Sequence, residues 1–222
     1  MKSVLMRLEG PMQSWGFSSR FEERDTALEP TRSGVIGLCC AALGIGRDDS
    51  KALGQFASLA MAVRVDKQGV VMTDYQTAGG GTFDGKSYGV YRASGESGGT
   101  VLSRRALLAD ASFLVALGGD AHELIESIDD ALSNPRWPLF LGRRGFVPAR
   151  PIRSGVTSSG PIEALSVHDL PSATNERRSL RLVVEVASGG LPRTDVPLSF
   201  SSAQRSFGVR FVELRSLPIG VQ

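Results

Sequence analysis

The sequence is short of the residues on which most enzyme chemistry is built. Among 222 residues there are two histidines, two cysteines and three tyrosines. The cysteines, Cys39 and Cys40, are neighbours inside an apolar run. Adjacent cysteines rarely close a disulfide, and two thiols with no histidine nearby do not make a zinc site. They read as small buried hydrophobes, and such sparse use fits a reducing compartment. Long apolar runs are missing too: the longest, Val35 to Ile45, is too short to span a bilayer. Met1 to Glu9 is interrupted by Arg7 and has no cleavage-like tail, so no secretory leader is expected. The expectation is a cytoplasmic protein with no membrane partner. Charge of one sign is also lacking. Lys and Arg number 25 against 23 Asp and Glu, a net of +2. Bulk charge therefore does not argue for nucleic acid, and its distribution has to decide.

What is present is a globular composition, 41% hydrophobic and 22% charged. This is enough for one core of ordinary size, or a main domain with a small second one. Lys2 to Leu8 reads as a strand. After a loop carrying Pro11, Trp15 and the charged stretch Glu22 to Asp25, a helix opens at Thr31 or Ser33 and ends at Gly44. Asp48-Asp49-Ser50 caps a second, short helix. Ala60 to Val65 and Val70 to Tyr75 read as strands joined at Gly69. Ser112 to Leu117 is another strand, and Ala121 to Leu132 is a helix with Leu124, Ile125, Ile128 and Leu132 on one side. Thr77 to Thr100 is different in kind, glycine-rich with interspersed Phe83, Tyr88 and Tyr91. It cannot bury a core of its own and reads as an inserted arm. The expected fold is α+β, a ferredoxin-like domain over 1–150 with the arm at 77–100. Short strands at Leu180 to Val186, Val196 to Phe200 and Gly208 to Leu214 form a small β-rich region over 151–222.

Few residues offer chemistry. Gly80 to Ser87 spells a phosphate-loop pattern, but that loop needs a helix after it, and Tyr88 to Gly99 has no apolar helical period. It reads as a chance match, with Lys86 left as a simple phosphate contact. His122 lies at the polar start of a helix, and His168 sits beside Asp169 in a loop. A metal-free ribonuclease could be composed from His168, Tyr75 and Lys86, but nothing in the spacing brings them together. No metal ligand set or cofactor motif stands out. Basic residues do cluster, at Arg104-Arg105, Arg143-Arg144, Arg150 with Arg153, and Arg177-Arg178. Arg177-Arg178 reads as solvated surface. Arg143-Arg144, between Leu141-Gly142 and Gly145-Phe146, suits phosphate clamping. Trp15, in a polar glycine loop, either plugs the core or stacks a base.

A family is visible in these segments. Gly10-Pro11-Met12-Gln13-Ser14-Trp15-Gly16, Pro30-Thr31-Arg32-Ser33-Gly34, Leu43-Gly44-Ile45 with Arg47-Asp48-Asp49, Asp74-Tyr75, Asp110-Ala111-Ser112-Phe113 and Leu141-Gly142-Arg143-Arg144 follow one another in an order that resembles the CasD (Cas-five) family. That family supplies a subunit of Cascade, the type I-E CRISPR surveillance complex. The resemblance is close over Lys2 to about Pro151 and looser beyond. It implies an RRM-like, RAMP-type ferredoxin fold with a protruding β-hairpin thumb. It also implies a non-catalytic role, capping the 5-prime handle of CRISPR RNA while touching the large subunit and the first backbone subunit. Target DNA would be met only through the complex. A cousin in type I-C systems cuts the RNA precursor, which keeps a metal-independent endoribonuclease as the alternative. Carried over by position, Gln13, Ser14, Trp15, Arg32 and Ser33 would line the palm. Arg143 and Arg144 would hold phosphates, and Thr77 to Thr100 would be the thumb. Tyr75, Lys86, Arg104 and Arg105 complete the expected RNA-binding set. Leu107 stands where relatives often carry Tyr.

Overall fold

The computed structural model describes residues 1–16, 23–90, 99–170 and 179–219. Tyr91 and Arg177-Arg178 lie outside them. In chain order the elements are β1 (Lys2–Glu9), β2 (Met12–Gln13), β3 (Glu23–Arg24), α1 (Arg32–Leu43), α2 (Ser50–Gly54), a 3-10 turn (Gln55–Ser58), β4 (Ala60–Lys67), β5 (Val70–Gly79), β6 (Gly81–Phe83), β7 (Lys86–Tyr88), β8 (Thr100–Ala109), β9 (Ser112–Gly119), α3 (His122–Ser133), β10 (Arg153–Thr157), α4 (Pro161–Val167), β11 (Ser179–Val186), β12 (Leu191–Ser199) and β13 (Ser206–Pro218). The protein is α+β, with one antiparallel sheet of seven strands in the order β10-β1-β9-β4-β11-β13-β12.

The apolar runs in β1, β4 and β9 follow from cover on both faces of this sheet. Val4, Met6, Leu8, Met61, Val63, Val65, Phe113, Val115 and Leu117 enter the main core with α1 and α3. Their in-between neighbours Leu5, Ala62, Leu114 and Ala116 enter a smaller core with Ala164 and Leu165 of α4. The chain after Pro151 is not separate in its hydrogen bonding. Strand β10 pairs with β1 at one end of the sheet, and β11 pairs with β4 toward the other.

Buried guanidiniums fasten the helices to the sheet. Arg64, fully buried, donates to the carbonyls of Leu165 and His168 at 2.7 Å and of Asp169 at 2.8 Å, and pairs with Asp66. It thereby satisfies carbonyls that the end of α4 would otherwise leave open. Arg7 bridges Asp66 and Asp169 beside it. On the opposite face Arg32 opens α1, after Thr31 caps the Gly34 N–H. Its guanidinium pairs with Glu185 at 2.7 Å and donates to the carbonyls of Phe56 at 3.0 Å and Leu59 at 2.6 Å. Its backbone N–H donates to Asp195, which Arg210 holds through two bonds. Burial pulls the Arg32 guanidinium below its ordinary pKa, Glu185 opposes that shift, and Arg210 adds to it.

The second sheet is built on β8, a strand that the sequence pattern does not reveal. It pairs with β5 over ten positions, from Val70↔Ala109 to Gly79↔Thr100, and on its other side with β2 and β3. The ladder extends beyond the core, and Val70, Val71, Met72, Tyr75 and Leu102 are exposed on it. At its far end β6 and β7 form a small hairpin across Asp84-Gly85, both at positive φ. An Asp-Gly pair of this kind is the usual two-residue hairpin turn. Lys86 therefore starts a strand and not a helix, and the phosphate-loop pattern lacks the context it needs.

Replacing Arg32 by Ala takes the cation from the half-buried Glu185, which keeps the Met61 N–H, and removes a donor from the carbonyls of Phe56 and Leu59. The expected loss of unfolding free energy is about 3–5 kcal/mol, read as a lowered urea midpoint at unchanged slope. A loss below about 1 kcal/mol, the range of exposed pairs, would show that this network does not hold α1 to the C-terminal strands.

Candidate nucleic-acid interface

The loop after β1 is held from inside. Gln13 is fully buried, and its amide N–H groups donate to the carbonyls of Leu8 at 3.1 Å and Ala111 at 2.8 Å. Its carbonyl accepts the Trp15 indole N–H at 3.1 Å. Trp15 is 1% exposed, and its ring lies so close to Gly34 that a Cβ there would come within 2.8 Å. The two readings of Trp15 are thereby separated: it plugs the core and offers no face to a base. Gln13, Trp15 and Arg32 were expected to contact RNA. All three are buried and hydrogen-bonded to the protein, with Arg32 Nε left buried without a partner, and they shape the loop and the start of α1.

Ser14 passes this order outward. Its N–H donates to the Leu141 carbonyl at 3.0 Å and its hydroxyl to the Ala106 carbonyl on β8. The same Ala106 carbonyl accepts from Arg143 Nη2 at 2.9 Å. Arg143 is half-buried, lies over the Phe146 ring at 5.5 Å, and keeps its Nη1 buried without a partner. Gly142 makes the turn at φ +98, pressed against the Ser14 backbone.

Register places the other charges. Asp74 on β5 and Arg24 on β3 both stand opposite Arg105 on β8, so the three form a row across one face of the small sheet. Burial lowers the pKa of Arg143; Arg105 and Arg24 lower it further, and Asp74 opposes them. Three guanidiniums thus converge near one carboxylate, which already accepts from Gln76. None of Arg24, Arg105 and Arg143 forms an ion pair with an acid among the described residues. A cluster of guanidiniums of this kind stabilises an anion in front of it, and forked N–H donors favour phosphate or carboxylate.

The next row, Tyr75, Arg104 and Glu23, belongs to the opposite face, because successive strand side chains alternate. Tyr75 is 59% exposed there. Lys86 is exposed on β7 at the end of the arm. Ser33 and Arg144 line a groove beside α1. The expected set is therefore divided among the buried loop, two faces of one ladder, the tip of the arm and the groove. Arg24 was missed. It sits in an ordinary run of mixed charge, and only the parallel pairing of β3 with β8 brings it to Arg105. Both cysteines are buried, and burial pushes their thiols up, Cys40 to about 12. No group of His, Cys, Asp and Glu able to hold a metal occurs among the described residues.

Comparison with known proteins gives a consistent picture. A family model described as CRISPR-associated protein (Cas_Cas5) matches residues 3–213. The chain is 37% identical over 174 residues to the CRISPR system Cascade subunit CasD of Escherichia coli (strain K12), covering 73% of this chain and 75% of that protein. A chain from a structure titled CRISPR RNA-guided surveillance complex superposes with a TM-score of 0.84 at 35% identity, covering 98% of this chain and 90% of its own. A crystal structure of a Cas protein gives 0.72, also at 35% identity, with 97% and 95% covered.

A Cβ at Gly142 would fall 1.8 Å from the Ser14 carbonyl oxygen, a backbone atom that cannot swing aside. Gly142→Ala is expected to cost roughly 1–3 kcal/mol from strained φ alone, seen as a lower melting temperature. Gly145, where a Cβ meets nothing within 4 Å, should tolerate Ala with little change.

Proposed function

The chain belongs to the Cas5 (CasD) family of CRISPR-associated proteins, and on that premise we propose that it is a non-catalytic RNA-binding subunit of a Cascade-type surveillance complex. Its ligand is the 5-prime handle of CRISPR RNA, which it caps at one end of the particle. The observation that carries this reading is the convergence of Arg24, Arg105 and Arg143 around one already engaged carboxylate. A single-stranded RNA backbone supplies the closely spaced phosphates that such a cluster lacks. The loop from Gln13 to Trp15 acts as the rigid floor beneath it.

The ferredoxin-like reading is supported by the order of β10-β1-β9-β4, with α1 between the first and second strands in sequence and α3 between the third and fourth. The β5–β8 ladder with its β6–β7 tip is the natural candidate for the thumb, and its exposed apolar residues suit contact with a neighbouring subunit. The large subunit and the first backbone subunit are the proposed neighbours, and target DNA is met only through the complex. The site of action is the cytoplasm.

The non-catalytic reading rests on how the titratable side chains are distributed. His122 opens α3 and His168 follows α4, while the cationic row is made of arginines, which cannot trade protons near neutral pH. A metal-independent ribonuclease needs a general base within reach of the attacked hydroxyl. Incubation of the purified chain with repeat RNA in EDTA should leave the RNA intact; cutting would favour the ribonuclease.

Arg105→Ala with Arg143→Ala should weaken RNA binding and flatten its salt dependence. On a single strand each lost phosphate contact lowers the log–log slope by roughly 0.7, and a circular dichroism spectrum matching the parent must accompany the result. An unchanged slope would make these arginines ordinary surface charges.

A further inference from the structure

We infer that Asp74 is the residue with which this chain tells RNA from DNA, its open carboxylate oxygen accepting the 2′-hydroxyl of a ribose whose phosphate lies on Arg105. The inference rests on the RNA-binding reading above and deepens it, because cationic charge alone does not distinguish the two backbones.

Asp74 and Arg105 stand directly opposite each other across the β5–β8 ladder, and both are half-buried. Opposed side chains of an antiparallel pair start about 4.5–5.5 Å apart at Cβ, near enough for a carboxylate and a guanidinium to pair. They form no ion pair. Each is held instead by a neutral neighbour on its own strand. Arg105 Nε donates to the Ser103 hydroxyl at 3.0 Å, and the side-chain amide of Gln76 donates to Asp74 Oδ2. Ser103 and Gln76 are themselves register partners on the same face. The two charges are thus drawn along their strands and away from each other. Among the described residues, Asp74 Oδ1 accepts no hydrogen bond, and the two terminal nitrogens of Arg105 donate none. Asp74 is also close enough to Arg143 to oppose the burial and the Arg105 charge that lower its pKa.

The result is a donor fork and an acceptor oxygen side by side. A phosphate alone engages the fork, and the neighbouring carboxylate repels it. An acid in this place therefore favours a ligand that carries a hydrogen-bond donor next to its anion. In RNA a 2′-hydroxyl stands beside the phosphate of every nucleotide, and it is the group by which a protein separates RNA from DNA. A hydroxyl bonded to a charged acceptor makes a strong hydrogen bond, which offsets the repulsion. Base amino groups are donors as well, but they change with sequence, whereas phosphate contacts fix the backbone whatever the sequence.

The experiment measures affinity for repeat-derived single-stranded RNA, and for the same strand carrying 2′-fluoro at one nucleotide at a time. It uses the full chain, alone and in the particle assembled with its partner subunits. Fluorine keeps the ribose-like sugar pucker and removes the donor. At one position or more, the wild-type chain is expected to lose about tenfold, as for a hydrogen bond to a charged group. Asp74→Ala should bind unmodified RNA about tenfold more weakly at an unchanged melting temperature, with no further loss from 2′-fluoro at those positions. If wild type binds every 2′-fluoro strand as tightly as RNA, the inference fails while the RNA reading stands; this arm needs no variant to fold. If Asp74→Ala weakens RNA and 2′-fluoro strands alike, the carboxylate merely braces the arginines. If it tightens both, the carboxylate merely repels. If its effect follows replacement of a base and not of a sugar hydroxyl, Asp74 reads a base edge. Each of these three results overturns the assignment to the 2′-hydroxyl. If wild type binds RNA neither alone nor in the particle, both readings fall.

Discussion

The side-chain amide of Gln13 is the contact from which the site hangs. It lies where β1 ends, β2 joins β8 and β9 begins, and it spends three hydrogen bonds on Leu8, Ala111 and Trp15. Without it, two buried carbonyls and an indole N–H lose their partner, each at a cost of about 1–3 kcal/mol. The consequence is positional as much as energetic. Trp15 presses against Gly34 and so fixes the start of α1, while Ser14 reaches Ala106 and Leu141 and so fixes the turn that aims Arg143. One amide thereby sets the distance between the cationic row on β8 and the helix that floors the groove.

Arginine appears here in two physically distinct roles, and burial together with carboxylate supply separates them. Arg7, Arg32, Arg64 and Arg210 are buried, and each has an acid within bonding distance. A buried charge without that partner is untenable, so these four belong to the fold. Arg24, Arg105 and Arg143, and likewise Arg47, Arg144 and Arg205, lie nearer the surface and lack such a partner among the described residues. Like charges held close repel, which weakens the free protein slightly. An anion in front of them would relieve that repulsion. The modest net charge of +2 conceals this, because it counts acids and bases wherever they lie in the fold.

Much of the fold was legible because its signals are local. Thr31 as cap, Gly44 as terminator and the one-sided apolar spacing in α3 state their elements directly. The long strand β8 was not legible: Arg104-Arg105 interrupts it, and its partners β2, β3 and β5 are distant in sequence or too short to show a pattern. The same gap explains the site. Arg143 was expected at the site from its glycine-flanked pair of arginines, but Arg24 becomes its neighbour only through a two-residue parallel pairing. Trp15 and Arg32 carry the right chemistry for RNA, and nothing in the sequence says that the Gln13 amide and Glu185 claim them first.

The division between Arg104 and Arg105 depends on register. Strand side chains alternate, so a slip of one residue in the β5–β8 ladder would carry Arg105 to the face of Tyr75 and bring Arg104 to Arg143. The apolar content of the arm is too thin to prevent this, because both faces of β5 are largely exposed. The ends of the ladder prevent it instead. At the base, Gly69 turns at φ +74 where a Cβ would strike the Ala109 carbonyl at 2.6 Å, and Asp110 turns at φ +54 with its N–H on the Pro11 carbonyl. Leu107 and Leu108 are buried just above, which ties that end to the core. A shift of one residue would require an L side chain in the Gly69 conformation or would expose those leucines. The cationic face is thus decided by two turn residues about five positions along the strand from Arg105, and the surface charges themselves contribute nothing to the choice.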